Sequence, residues 1–140
     1  MKSFETSINI ACPGADIWAV LTDATTYPEW AAGTHRLDGE IVHGGVLKLF
    51  TVSKPRQPMI LRVTALAAPS TFTLSGGLPF GLFRGDRTFT LTPKPDGSTQ
   101  FHMREVFTGL LEPLIGRMLP DLTPSFEAYA AGLKQKCEGQ

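Results

Sequence analysis

Apolar and polar residues alternate with a period of two over Phe4-Glu5-Thr6-Ser7-Ile8-Asn9-Ile10. This predicts a half-buried strand with Phe4, Ile8 and Ile10 on one face and Thr6 between them. Pro13 then suits the start of a helix, where a missing N–H costs nothing. Ile17, Val20 and Leu21 follow at helical spacing, with Asp16 in the first turn. Thr22 or Asp23 is expected to cap a second short helical turn through Tyr27, ended by Pro28. From about Thr34 to Gly109 the pattern is one of strands and turns. Gly- and Pro-containing breaks separate six runs: Ile41-Val42, Val46 to Val52, Met59 to Leu66, Phe72 to Ser75, Phe83 to Leu91 and Phe101 to Thr108. Such spacing predicts an antiparallel meander. In the last thirty residues the period becomes helical. Leu111, Leu114, Ile115, Met118, Leu119, Leu122, Phe126, Tyr129 or Ala130, and Leu133 form one stripe, expected to kink or break at Pro120 and Pro124.

The order is strand, helix pair, strands, long helix. A sheet must cover its apolar face, and the last helix is the one element large enough to do so. The expected fold is therefore α+β: a curved antiparallel sheet of about seven strands wrapped around a long C-terminal helix, in one domain over residues 1–140.

Strand alternation also orders the last hairpin, whose turn is Pro93-Lys94-Pro95-Asp96-Gly97. Phe83, Gly85, Arg87, Phe89 and Leu91 share one face of the first strand. Phe101, Met103, Glu105 and Phe107 share the same face of the second. If Phe89 pairs with Met103, Arg87 stands opposite Glu105 on an otherwise apolar face. Desolvation makes single buried charges costly, so the two are expected to form an ion pair. That pair serves as a polar anchor for a ligand head group, as an acid/base pair, or as a salt bridge within the sheet.

Composition narrows the function. A hydrophobic fraction of 42% with 19% charged residues is that of a globular domain, not a disordered one. Thirteen basic and thirteen acidic residues cancel, which leaves no electrostatic footprint for nucleic acid or an anionic membrane. The residues from Met1 to Glu5 lack the apolar run of a signal peptide, and no stretch approaches a membrane span; the cytoplasm is the expected compartment. Cys12 and Cys137 are expected to be free thiols, a bridge between the first and last helices being the alternative. His35, His43 and His102 are scattered and no metal-ligand spacing occurs, so neither a metal nor another cofactor is expected.

The chain resembles the START-related (SRPBCC) superfamily of polyketide cyclase/dehydrase-like and lipid-transport proteins, whose fold is the helix-grip. The likeness rests on three pieces. The first is Ile8-Asn9-Ile10-Ala11-Cys12-Pro13, continuing through Ile17-Trp18-Ala19-Val20-Leu21-Thr22-Asp23 to Tyr27-Pro28-Glu29-Trp30. The second is Gly85-Asp86-Arg87-Thr88-Phe89-Thr90-Leu91. The third runs from Gly97-Ser98-Thr99-Gln100-Phe101 to Glu105-Val106-Phe107-Thr108-Gly109-Leu110-Leu111, with Phe126 and Leu133-Lys134 beyond. The resemblance implies the fold more strongly than the function, because this superfamily hosts carriers, cyclases, co-chaperones and receptors.

The leading expectation is a cavity between sheet and helix that binds a small hydrophobic or amphipathic molecule, lipid-like or aromatic. Its expected lining is Trp30, Phe50, Phe72, Phe83, Phe89, Met103, Phe107, Leu111, Met118 and Leu122, with Arg87 and Glu105 fixing orientation. A cyclase or dehydratase is the alternative, and its polar inventory is thin: Arg87, Glu105 and Tyr27. A co-chaperone-like interaction protein is the third reading. It would use Leu78, Phe80 and Leu82 of the flexible, apolar segment from Gly76 to Phe83, which otherwise serves as a gate or a homodimer contact.

Overall fold

The first strand pairs with the last. In the computed structural model, which describes residues 2–139, β1 (Lys2–Ile10) lies antiparallel to β7 (Thr99–Thr108), and the other strands follow in sequence order. These are β2 (Thr34–Asp38), β3 (Val46–Thr51), β4 (Met59–Ala67), β5 (Thr71–Leu78) and β6 (Phe83–Pro93). The order across the sheet is β1-β7-β6-β5-β4-β3-β2, every pair antiparallel. Two helices follow β1, namely α1 (Gly14–Leu21) and α2 (Tyr27–Trp30), and two follow β7, namely α3 (Glu112–Met118) and α4 (Thr123–Glu138). This is the sheet-around-helix arrangement that the pattern predicts and the helix-grip that the resemblance implies. α4 buries Phe126, Tyr129, Ala130, Leu133 and Cys137 along one stripe, and Ile10, Ile17, Leu21, Leu47, Phe72, Phe101 and Met103 fill the core around it.

Four local expectations need correction. Ile41-Val42 is not a strand. Ile41 is buried from a loop whose glycines bond to β4, Gly44 N–H donating to Val63 O (3.1 Å) and Val63 N–H to Gly45 O (2.9 Å). The missing strand is β2, an edge strand that buries only Leu37 and so carries almost no hydrophobic run. Pro28 does not end a helical turn. It sits in the first turn of α2, after a 3₁₀ turn (Ala24–Thr26) capped by the Asp23 carboxylate, which accepts from Thr25 N–H (3.1 Å).

The third correction concerns the C-terminal stripe. The helix breaks at Pro120, as its prolines predict, but the break re-aims α3: Leu114 and Met118 are 62% and 76% exposed. The fourth is the segment from Gly76. Gly76 and Gly77 stay in β5, and the turn shrinks to Pro79–Leu82, with Phe80 at φ 61° and 92% exposed. Gly77 has φ 141°, and a Cβ there would stand 2.3 Å from Phe83 O, so only glycine fits.

Candidate functional site

β6 and β7 carry the charged pair in the expected register, Phe89 opposite Met103 and Arg87 opposite Glu105. Arg87 Nε donates to Glu105 Oε1 at 2.7 Å, with the side chains 31% and 15% exposed. The guanidinium carbon lies 4.6 Å from the centre of the Phe126 ring, a cation–π contact that brings α4 onto the pair. Gly85 makes room for it: a Cβ there would stand 2.7 Å from Glu105 Oε2 and 3.0 Å from the Phe107 ring. Glu105 engages only the Nε of Arg87. Among the described residues the two terminal nitrogens of the guanidinium have no protein partner.

Phenylalanines frame the pair. Phe83 stacks on Phe107 (5.5 Å), and Phe4 meets Phe107 (6.3 Å) and Phe126 (6.1 Å). Phe83, Leu111 and Leu122 are half-buried here, so this end of the inner face opens toward solvent. Beside it Leu110 N–H donates to Gly81 O (3.0 Å), which brings the exposed Phe80 turn alongside Leu110 and α3.

Deeper in, the face is packed shut. Phe72 and Met103 are 0% exposed and Phe89 2%, so neighbouring side chains take up nearly all of their surface. Phe72 stacks on Phe89 (4.5 Å) and takes the edge of Trp18 (5.6 Å). Trp30 lies against Tyr27 (4.7 Å) and Tyr129 (5.0 Å). Trp30, Phe72, Phe89 and Met103 are thus core side chains here, not the lining of an open cavity. Phe50 is on the other side of the sheet: Leu47 and Leu49 point inward, and Phe50, next after Leu49, faces the other way and lies under its register partner Arg36 (5.1 Å). Met118 points to solvent. Phe83, Arg87, Glu105, Phe107, Leu111 and Leu122 remain at the open end. Phe4 and Phe126 join them, and inward alternation along β1 and the helical stripe of α4 were the signals for both.

Two tyrosines form a closed chain in the core. Tyr129 OH donates to Tyr27 OH (3.1 Å), which donates to the Leu21 carbonyl (2.6 Å). Burial, the largest cause in each case, pushes both phenols above the ordinary value of 10.0, with Arg87 opposing. The sign follows. A raised folded-state value means that stability is whole below pH 10 and is lost as pH climbs toward the folded value, because the unfolded chain ionises first. Alkaline titration should therefore show the tyrosinate absorbance of these two residues appearing only together with loss of the folded circular dichroism signal. A separate rise before unfolding would contradict their burial.

Two concavities lie away from the ion pair. One, about 730 Å³, is bordered by Cys12, Asp16 and Val20 on one side and Lys136, Cys137 and Glu138 on the other. A smaller one, about 350 Å³, lies between the segments 22–25 and 39–42. Among the described residues no three His, Cys, Asp or Glu side chains converge in a way that could hold a metal ion, and no helix is long and apolar enough to cross a membrane.

A family model described as polyketide cyclase/dehydrase and lipid transport matches residues 1–138. The chain belongs to that family. Solved structures agree on the fold of this polyketide cyclase/dehydrase and lipid-transport family member. A protein from Mesorhizobium loti is 19% identical, with a TM-score of 0.78 over 99% of this chain and 98% of that one. Norcoclaurine synthase from Thalictrum flavum, in complex with dopamine and hydroxybenzaldehyde, is 14% identical, with a TM-score of 0.73 over 99% and 87%. A START superfamily protein from Mycobacterium smegmatis is 14% identical, with a TM-score of 0.69 over 98% and 97%. No curated protein matches the chain. At these identities the likeness speaks to architecture alone, so the family member's own side chains must carry the functional argument.

Proposed function

We propose that this protein binds a small amphipathic molecule with an apolar body and an anionic head, at the open end between the β6–β7 hairpin and the start of α4. The observation that carries the reading is the state of Arg87. Its Nε is fixed by Glu105 while, among the described residues, its two terminal nitrogens have no hydrogen-bond partner, on a face otherwise made of phenylalanine and leucine. A planar fork held this way suits a carboxylate, which takes two parallel N–H donors. Phe83, Leu111 and Leu122 would cover the apolar body, and membership of a lipid-transport family supports that ligand class.

An enzyme is the second reading, favoured by the shared fold of norcoclaurine synthase. General acid–base work needs a group free to exchange a proton near neutral pH. Here Glu105 is tied to Arg87, and Tyr27 and Tyr129 are buried donors with raised values. The inventory favours binding over turnover.

Titration calorimetry with dodecanoate and with dodecanol, which share a tail, tests the reading. The carboxylate should bind roughly tenfold or more tighter, since a charge-assisted hydrogen bond contributes about 1.5–3 kcal/mol. Arg87→Met should remove that preference, and the paired variant Arg87→Met with Glu105→Leu gives the same comparison in a fold without an orphaned charge. Equal affinity for acid and alcohol in the unmodified protein would sink the reading.

A further inference from the structure

The β1–α1 corner and the end of α4 are latched together, and each contributes a thiol to the latch. Ala11 N–H donates to Glu138 Oε2 (2.8 Å), and Lys134 Nζ donates to the Asn9 carbonyl (2.9 Å) and to Glu138 Oε2 (2.5 Å). Thr99 Oγ1 holds the Cys12 carbonyl from β7 (2.9 Å), and Cys12 N–H closes a tight turn onto Ile10 O (2.8 Å). The backbones on both sides are thereby fixed. Within this frame Cys12 Sγ donates to the carbonyl oxygen of Cys137 at 3.2 Å. Both cysteines are free, Cys137 buried and Cys12 half-buried. Both border the same 730 Å³ groove, which admits a small reagent from solvent.

We propose that Cys12 and Cys137 form an oxidation site: a small disulfide such as oxidised glutathione converts them to an intramolecular bridge that clasps α4 to the β1–α1 corner. The Cys12 thiolate attacks one sulfur of oxidised glutathione, forming a mixed disulfide and releasing one glutathione thiolate. The Cys137 thiolate then attacks the Cys12 sulfur, forming the Cys12–Cys137 bond and releasing the second. Two thiols lose two protons and two electrons, and one molecule of oxidised glutathione becomes two of glutathione. To form the bridge, Cys12 Sγ leaves the carbonyl oxygen of Cys137, 3.2 Å away, for the sulfur of the same residue.

The surroundings set the rate. Burial, first, and the carboxylates of Glu138 and Asp16 raise the Cys12 thiol, with Lys134 opposing. Burial also pushes Cys137 up to about 11, helped by Cys12, Asp16 and Glu138 and opposed by Lys136. Few thiolates exist at neutral pH, so exchange is slow there and accelerates toward pH 9. The pair is therefore a slow device that responds to sustained oxidation.

The experiment incubates the full chain with excess oxidised glutathione at pH 8.5, then counts thiols after denaturation and weighs the intact protein. The expected product is a monomer with no titratable thiol and a mass lower by two hydrogens. The bridge spans a sequence separation of 125 residues, so the melting temperature should rise by roughly 5–15 °C and return on reduction. Cys12→Ser and Cys137→Ser should each abolish the rise. Because Cys137 is buried, the exposed-side variant Cys12→Ala serves as a second control. A stable glutathione adduct on either cysteine, a disulfide-linked dimer, or two thiols still free after oxidation would each overturn the proposal. None of these outcomes bears on ligand binding at Arg87.

Discussion

Replacing Gly132 with alanine is expected to destabilise the protein by about 3 kcal/mol, although the same change inside an ordinary helix stabilises by about 1 kcal/mol. The sign reverses because of what lies over the helix. A Cβ on Gly132 would stand 2.0 Å from the carbonyl oxygen of Trp30 and 3.1 Å from its carbonyl carbon. Those are backbone atoms at the end of α2, so no side chain can swing aside. α4 would have to lift from α2, opening the contacts of Tyr129 with Trp30 and Tyr27. Gly116→Ala in α3 is the control. Its Cβ would meet the end of the Glu112 side chain at 3.3 Å, a contact relieved by a few tenths of an ångström, and the expected change is under about 1 kcal/mol. Urea unfolding midpoints of the two variants decide the matter. A Gly132→Ala protein more stable than the parent would mean that α2 and α4 do not pack as described.

The second large effect is expected at the ion pair, and it is non-additive. Glu105→Leu leaves Arg87 on an apolar face without its partner, and Arg87→Met leaves the less exposed carboxylate alone. Breaking a fully buried pair costs about 3–5 kcal/mol; the partial exposure of these side chains, 31% and 15%, reduces this to about 2 kcal/mol for each single variant. The double variant should recover most of the loss, since two apolar side chains then fill the space beside Phe126 and Phe107. The coupling between the two changes is expected to be about 3 kcal/mol, read from the four unfolding curves of a double-mutant cycle. Additive losses would show that Arg87 and Glu105 contribute independently.

The ion pair was legible because alternation along a strand is rigid. Once Phe89 pairs with Met103, the register sets Arg87 directly opposite Glu105 on β7. The same rule carried Phe4, Ile8 and Ile10 to the inner face. Where the rule was set aside for residue type, the reading failed: Phe50 is aromatic and looks like a lining residue, yet alternation with Leu47 and Leu49 turns it outward beneath Arg36. The C-terminal stripe failed for a different reason. Its period describes one rigid helix, and the break at Pro120 gives α3 and α4 separate axes, so Leu114 and Met118 lose the phase that Phe126 and Leu133 keep. Trp30, Phe72, Phe89 and Met103 mark the deepest limit. Pattern says that a side chain points inward, but whether it meets another ring or an empty volume depends on rotamers and on residues from four other elements.

The pairing of β1 with β7 sets a timetable for synthesis. Register partners such as Ile8 and Phe101, or Lys2 and Phe107, are separated by about a hundred residues. At roughly 5–20 residues per second, β1 waits on the order of 5–20 s after leaving the ribosome before its partner strand exists. α4, which covers the inner face, is made later still. Through that interval Phe4, Ile8, Phe72 and Phe89 belong to a nascent chain that has no means of burying them fully. The layout that pairs the first strand with the last thus leaves the growing chain dependent on whatever shields apolar segments in the cell until α4 is complete.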